Sequence, residues 1–190
     1  MLDVDVIEDA ATATVALHPL RARVLAALRE PASAAGLAQR FGLPRQKLNY
    51  HLRALEDCGL VVAAGERRHG GLTERLLVAS AASYVVSPAA MHENAPDPAG
   101  MADRLSARYL VALAARAVRE VGRLVRAAQA ENRRLATLAL DTEIGFASAD
   151  EQARFADELT RTVTRLAARY HHPEGRPFRL IIAAYPFPKE

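Results

Sequence analysis

Residues 43–60, LPRQKLNYHLRALEDCGL, restrict what this chain can be more than any other stretch. Leu48, Leu52 and Leu55 recur at spacings of four and three, so an α-helix turns them toward a core and leaves Arg45, Gln46, Lys47, Asn49, Tyr50 and Arg53 facing out. Pro44 suits the first helical position, where its missing N–H is not needed, and Gly59 suits the left-handed residue that ends a helix. The outward face carries positive charge for phosphates, amides able to pair bidentately with adenine edges, and a flat phenol. Duplex nucleic acid is the partner such a face fits.

The flanks extend this reading. Residues 19–29 give a first helix with Leu20, Val24, Leu25 and Leu28 as its core stripe. Ser33 to Gly42 reads as a shorter helix with Ser33 as N-cap, Leu37, Ala38 and Phe41 inward, and Gly42 in the turn before the next helix. Downstream, Leu60–Ala64 and Thr73–Ser80 are apolar runs of strand length, and Gly65 to Gly71, with Arg67, Arg68 and His69, makes a glycine-rich basic tip between them. Helix, turn, helix and basic hairpin is the order of a winged helix-turn-helix.

Residues 17–80 resemble the DNA-binding domain of ArsR-type bacterial transcriptional regulators. The likeness is clearest in Asn49-Tyr50-His51-Leu52-Arg53-Ala54-Leu55, in Cys58-Gly59-Leu60-Val61, and in the first-helix start Leu17-His18-Pro19-Leu20-Arg21. It covers about the first half of the chain. The resemblance implies a homodimer that sets two recognition helices in successive major grooves of a near-palindromic operator. The residues themselves argue for DNA but not for the dimer.

Charge agrees with a duplex partner. Net charge is only +3, but residues 18–80 hold ten arginines and lysines against five acids, while residues 1–17 carry Asp3, Asp5, Glu8 and Asp9 with no base. A basic excess over the helix-turn-helix is the electrostatic footprint of a DNA binder. No apolar run approaches a membrane span, and the acidic start lacks a signal peptide's basic n-region, so a cytoplasmic protein is expected. One cysteine, Cys58, excludes an internal disulfide and is read as packing. The paired cysteines or His-carboxylate clusters that ArsR-type metal sensors use are missing from the matching helices, so no metal and no cofactor is expected.

The rest of the chain is read as a second module, and the whole as α+β. Residues 3–16 show no firm periodicity and suggest a frayed N-terminal arm that packs on the dimer partner through Leu2, Val4, Val6, Ile7 and Val15 or is simply mobile. Residues 1–86 are expected to form the winged domain, the proline-punctuated residues 87–102 a linker, and residues 103–190 a helical and α/β dimerisation domain. In the last, a helix from about Asp103 to Arg133 carries small residues that let another helix approach and is read as a dimerisation helix, with packing inside its own chain as the alternative. Alternation over 135–147 then predicts a strand, Ser148 to Glu151 a capping box opening a helix, and Phe178 to Tyr185 a last strand. Two strands alone are marginal, so the sheet is expected to be completed by the partner subunit or by the long helix.

Other candidate chemistry is weaker. His171 and His172 are adjacent and diverge on a regular element, Asp141 and Glu143 share an exposed strand face, and the Gly65 to Gly71 glycines lack the following helix of a phosphate loop. His51 is expected to hydrogen-bond within the helix-turn-helix, with phosphate contact as the alternative. No nucleophile elbow, zinc-protease helix, Walker loop or dinucleotide fingerprint occurs, and no enzyme is expected. The reading is a homodimeric, sequence-specific transcriptional regulator. Gln46, Lys47, Asn49 and Tyr50 read bases, Arg45, Arg53, Arg67 and Arg68 hold phosphates or enter the minor groove, and His69 lies in the same basic tip. Leu138, Leu140, Phe146, Phe155 and Phe178 are candidates to line a pocket for a small organic effector. The competing reading is a protein-interaction module on a winged-helix scaffold.

Overall fold

The computed structural model describes residues 1–69 and 72–187, without the side chains of His69 and Leu72. Two compact units divide the chain, Met1–Leu135 and Ala136–Glu190. In the first, strand β1 (Leu2–Ile7) leads into helices α1 (Ala10–Leu17), α2 (Pro19–Ala27), α3 (Ala34–Phe41) and α4 (Arg45–Asp57), with the two-residue strand β2 (Ala32–Ser33) before α3. Strands β3 (Val61–His69), β4 (Leu72–Ala79) and β5 (Ala81–Val86) follow, then two 3-10 turns at Pro88–Asn94 and Pro98–Gly100, then the 24-residue helix α5 (Ala107–Ala130).

Local chemistry sets each boundary. Asp9 accepts a hydrogen bond from the Thr12 amide at 2.7 Å and starts α1. The Arg21 guanidinium donates to the Val15 and Thr14 carbonyls, satisfying the end of α1. Ser33 Oγ accepts from the Gly36 amide and opens α3, and Gly42, at φ +63°, closes it. Pro44 stands at the N-cap of α4, one residue earlier than its sequence suggested, and Gly59, at φ +70°, turns the chain into β3.

These helices share one apolar centre. Val24, Leu28, Leu37, Leu48, Leu55, Leu60 and Val61 are almost wholly buried and pack with Ile7, Ala13, Ala16 and Ala79. The sheet order β2-β4-β3 is antiparallel, with a bulge between Ala63 and Gly65. Gly65, expected in the hairpin tip, lies inside β3 at φ +111° and makes that bulge, so the hairpin is longer and Arg67 and Arg68 belong to a strand. The Tyr84 hydroxyl donates to the Leu60 carbonyl at 2.9 Å and accepts from the Ala81 amide, tying β5 to the start of the wing.

The N-terminal residues are ordered, against the frayed arm their sequence suggested. Residues of β1 pair in parallel with β5, from Leu2 opposite Ala81 to Ile7 opposite Val86. Helix α5 then closes on β1, and for that reason the compact unit runs on through residues 87–102 to Leu135. Arg123 and Arg126 both reach Glu8, each at 2.7 Å, and the Arg123 hydrogen bond holds the Glu8 carboxyl below its ordinary range. Gly122 permits the approach: a Cβ there would lie 2.5 Å from the Val6 side chain. Alanine at 122 gains about 1 kcal/mol of helix propensity, but overpacking costs typically about 1–3 kcal/mol. The Gly122→Ala variant is therefore expected to melt at lower temperature than the parent chain, and the added change Val6→Ala to recover part of the loss.

The second unit holds helix α6 (Ala149–Tyr170) between stretches without regular structure. Its cap is the expected one, with Ser148 Oγ accepting from the Glu151 amide, but the Glu151 carboxylate returns to the Ala147 amide, one residue before the cap. The strands expected over 135–147 and Phe178–Tyr185 are not formed in the single chain. Alternation specifies which face a strand would bury, but a ladder needs partners, and two short segments supply too few.

Candidate nucleic-acid interface

Helix α4 presents its two faces as its leucine spacing requires. Leu48, Leu52 and Leu55 are buried beneath it, while Arg45, Gln46, Lys47, Tyr50 and Arg53 are exposed and Asn49 is half-buried. Tyr50 is 68% exposed, a large aromatic surface on an otherwise polar face. Among the described residues of its unit the first turns of α4 lie open: Arg45, Gln46, Asn49, Tyr50 and Arg53 border a hollow on the surface.

Beside it lies a second hollow of about 220 Å³, bordered by Ser33, Ala34 and Ala35 at the start of α3, by Arg45, Asn49 and Arg53 of α4, and by Glu74, Arg75 and Leu77 of β4. Arg75 was not among the sequence candidates. Period two along β4 puts it on the face of buried Leu77, toward α4, where it pairs with Glu56. Alternation along β4 leaves Leu76 and Leu77 as equal choices for the inward face, and only the burial of Leu77 assigns Arg75 to it. The start of α3 adds the positive end of a helix to the same edge.

The wing contributes unequally. Arg67 donates to Glu74 Oε2 at 3.2 Å across the hairpin, where the two residues are register partners. Arg68, opposite Thr73, is exposed and makes no ion pair among the described residues. The side chain of His69 lies outside the described residues.

His51 has another role than its sequence suggested. It is buried, 6% exposed, behind the outward face, and its Nδ1 has no hydrogen-bond partner among the described residues. Its ring packs 5.1 Å from His18 and 5.3 Å from Tyr50. Burial first, and then the charges of His18, Arg21 and Lys47, hold the imidazole below the ordinary histidine value of 6.5. Below that pH the unfolded chain takes up a proton that the native chain resists, so folding stability falls as the solution is acidified and levels off below the native value. Chemical denaturation between pH 8 and pH 5 should show this decline in the parent chain and a smaller one in His51→Leu.

The five effector-pocket candidates are not gathered into an enclosure. Phe146 and Phe155 meet with ring centroids 5.3 Å apart, while Leu138 and Leu140 are 83% and 88% exposed and Phe178 is open as well. Cys58 is half-buried against the core of the first unit.

Two helices joined by a glycine turn, the second with an uncovered cationic and amide face and a basic hairpin beyond it, are the geometry in which the comparison with known families can be read. Residues 16–62 match the model of a helix-turn-helix domain. The matched segment runs from α1 into the first residues of β3 and contains all of α4. A helix-turn-helix domain points to a DNA-binding regulator, and here it lies within a chain of mixed helix and strand. No curated protein matches the chain. None of the described helices is long and apolar enough to cross a membrane.

Proposed function

We propose that this chain is a sequence-specific, double-stranded-DNA-binding transcriptional regulator of the ArsR type that acts as a homodimer. Residues 1–86 contact the duplex and the chain beyond them joins the two copies. Gln46, Lys47, Asn49 and Tyr50 read bases in the major groove, and Arg45, Arg53 and Arg68 hold phosphates. Arg67 joins them by exchanging its Glu74 partner for a phosphate, so its contribution is smaller than that of Arg68. Arg75 exchanges its Glu56 partner in the same way and, together with the first turn of α3, seats a further phosphate beside α4.

One observation supports this reading above the rest: the first turns of α4 carry side chains for base recognition that lie open among the described residues of the unit, while its leucines are fully engaged below. A surface shaped for a protein partner would hold an apolar centre where Gln46, Asn49 and Arg53 stand. Selection of bound duplexes from a random pool by the full-length protein tests it. Enrichment of one inverted-repeat motif is the expected result; recovery of unenriched sequence at every salt concentration would exclude sequence-specific binding.

A further inference from the structure

The second unit leaves many of its apolar residues exposed. Helix α6 buries none of its 22 residues, and the stretches on either side expose Leu138, Leu140, Ile144, Phe178, Leu180 and Ile182. Phe155, Leu159, Val163, Leu166 and Tyr170 form one stripe along α6. Helices in proteins owe most of their stability to packing such a stripe, and an apolar surface of this extent marks an interface.

The charges of α6 identify the occupant. Glu151, Glu158 and Arg165 follow at seven-residue intervals and Arg169 stands four further on, so the four lie along one flank of the helix, beside the stripe. Arg154, three residues after Glu151 and four before Glu158, stands on the same flank, so its first half carries two acids and one base and its second half bases only. The helix dipole accounts for Glu151 and Arg169 in the terminal turns, and the four-residue spacing to Arg154 suits Glu158, but the only charged residues at three or four positions from Arg165 are the bases Arg161 and Arg169. Arg161, Arg165 and Arg169 repeat at four-residue spacing, which is repulsive within one helix. Among the described residues no ion pair involves α6. Reversed end for end, antiparallel helices about a twofold axis near Thr160 set Glu151 beside the partner's Arg169 and Glu158 between the partner's Arg161 and Arg165. Against these two favourable meetings per copy stands one unfavourable, Arg154 near the partner's Arg165 and the partner's Arg169.

We propose that residues 136–187 are half of a unit completed by a second copy of this chain, with the two α6 helices antiparallel on a sheet built from the extended stretches of both copies. Four strands under two helices reach the size at which such a layer is stable, where two strands under one do not. The contact is isologous, so it closes at two copies. This rests on the homodimer proposed above and gives it a location, and its test contains no DNA.

Sedimentation equilibrium of the full-length protein provides that test. An acidic form, Arg161→Glu with Arg165→Glu, and a basic form, Asp157→Arg with Glu158→Arg, place like charges across the axis, and each should dissociate about a hundredfold more readily than the parent. Mixed one to one, the two forms should pair again to within about threefold of the parent's dissociation constant. Charges acting only inside their own helix would give no recovery on mixing. Amide hydrogen exchange over 137–146 and 178–185 should be slow in the parent and the mixture and fast in either form alone. A monomeric parent, separated forms that dimerise as tightly as the parent, a mixture no tighter than its components, or exchange equally slow in the separated forms would overturn the proposal.

Discussion

The Leu55→Ala variant is expected to lose about 2–5 kcal/mol of folding stability, the range for emptying a leucine site in a packed core. Leu55 has no exposed surface, and its carbonyl accepts from the Leu60 amide at the turn where α4 gives way to β3. Domains hold only about 5–15 kcal/mol in total, so a melting temperature lower by roughly 5–20 °C follows. Tyr50→Ala on the other face of the same helix should shift stability by no more than about 0.5 kcal/mol. A thermal melt of the two variants side by side checks the assignment of faces. Equal losses would mean that Tyr50 is packed and α4 has no free face.

The largest effect on recognition is expected at Gln46 and Asn49. Each alanine substitution should cost about 1–3 kcal/mol at particular base pairs of the selected site and relax the preference there. Arg68→Ala should instead weaken binding to every duplex alike and lower the slope of log affinity against log salt by about one. Fluorescence anisotropy against a panel of duplexes differing by single base pairs separates the two patterns. If all three variants lost affinity for cognate and random duplex in equal measure, the division into readers and clamps would be wrong.

How far the chain could be read from its sequence depended on the distance of the partner that decides each element. Helix α4 was legible because its stripe, its proline start and its Gly59 end all fall within residues 43–60. Strand β1 and helix α1 were not: β1 is fixed by β5 and by α5, with Glu8 held by Arg123 at 115 positions' separation, and no local pattern carries that. Gly65 was assigned to a tip because glycine serves tip and bulge equally, and only the β3–β4 register distinguishes them. The same register gives Arg67 its Glu74 partner, which the sequence could not show. In the second unit the alternation of 137–146 is real but describes a face, not a ladder, so strands were expected where a single chain offers none.

Within the site, the outward residues of α4 followed from helical spacing alone. His51 did not, because its burial behind Tyr50 depends on α2 bringing His18 against it. Arg75 was overlooked because its role depends on which face of β4 looks toward α4, a choice that Leu77 decides through its burial in the core.

Hydroxyl-radical footprinting of the full-length protein, followed at the Tyr50 side chain with and without a selected duplex, tests the central claim most directly. The phenol stands exposed in the middle of the face assigned to base recognition. Oxidation of Tyr50 should slow markedly when the cognate duplex is added, and less with random duplex at the same occupancy. An oxidation rate unchanged by saturating cognate duplex would show that the duplex, if bound, lies elsewhere on the chain.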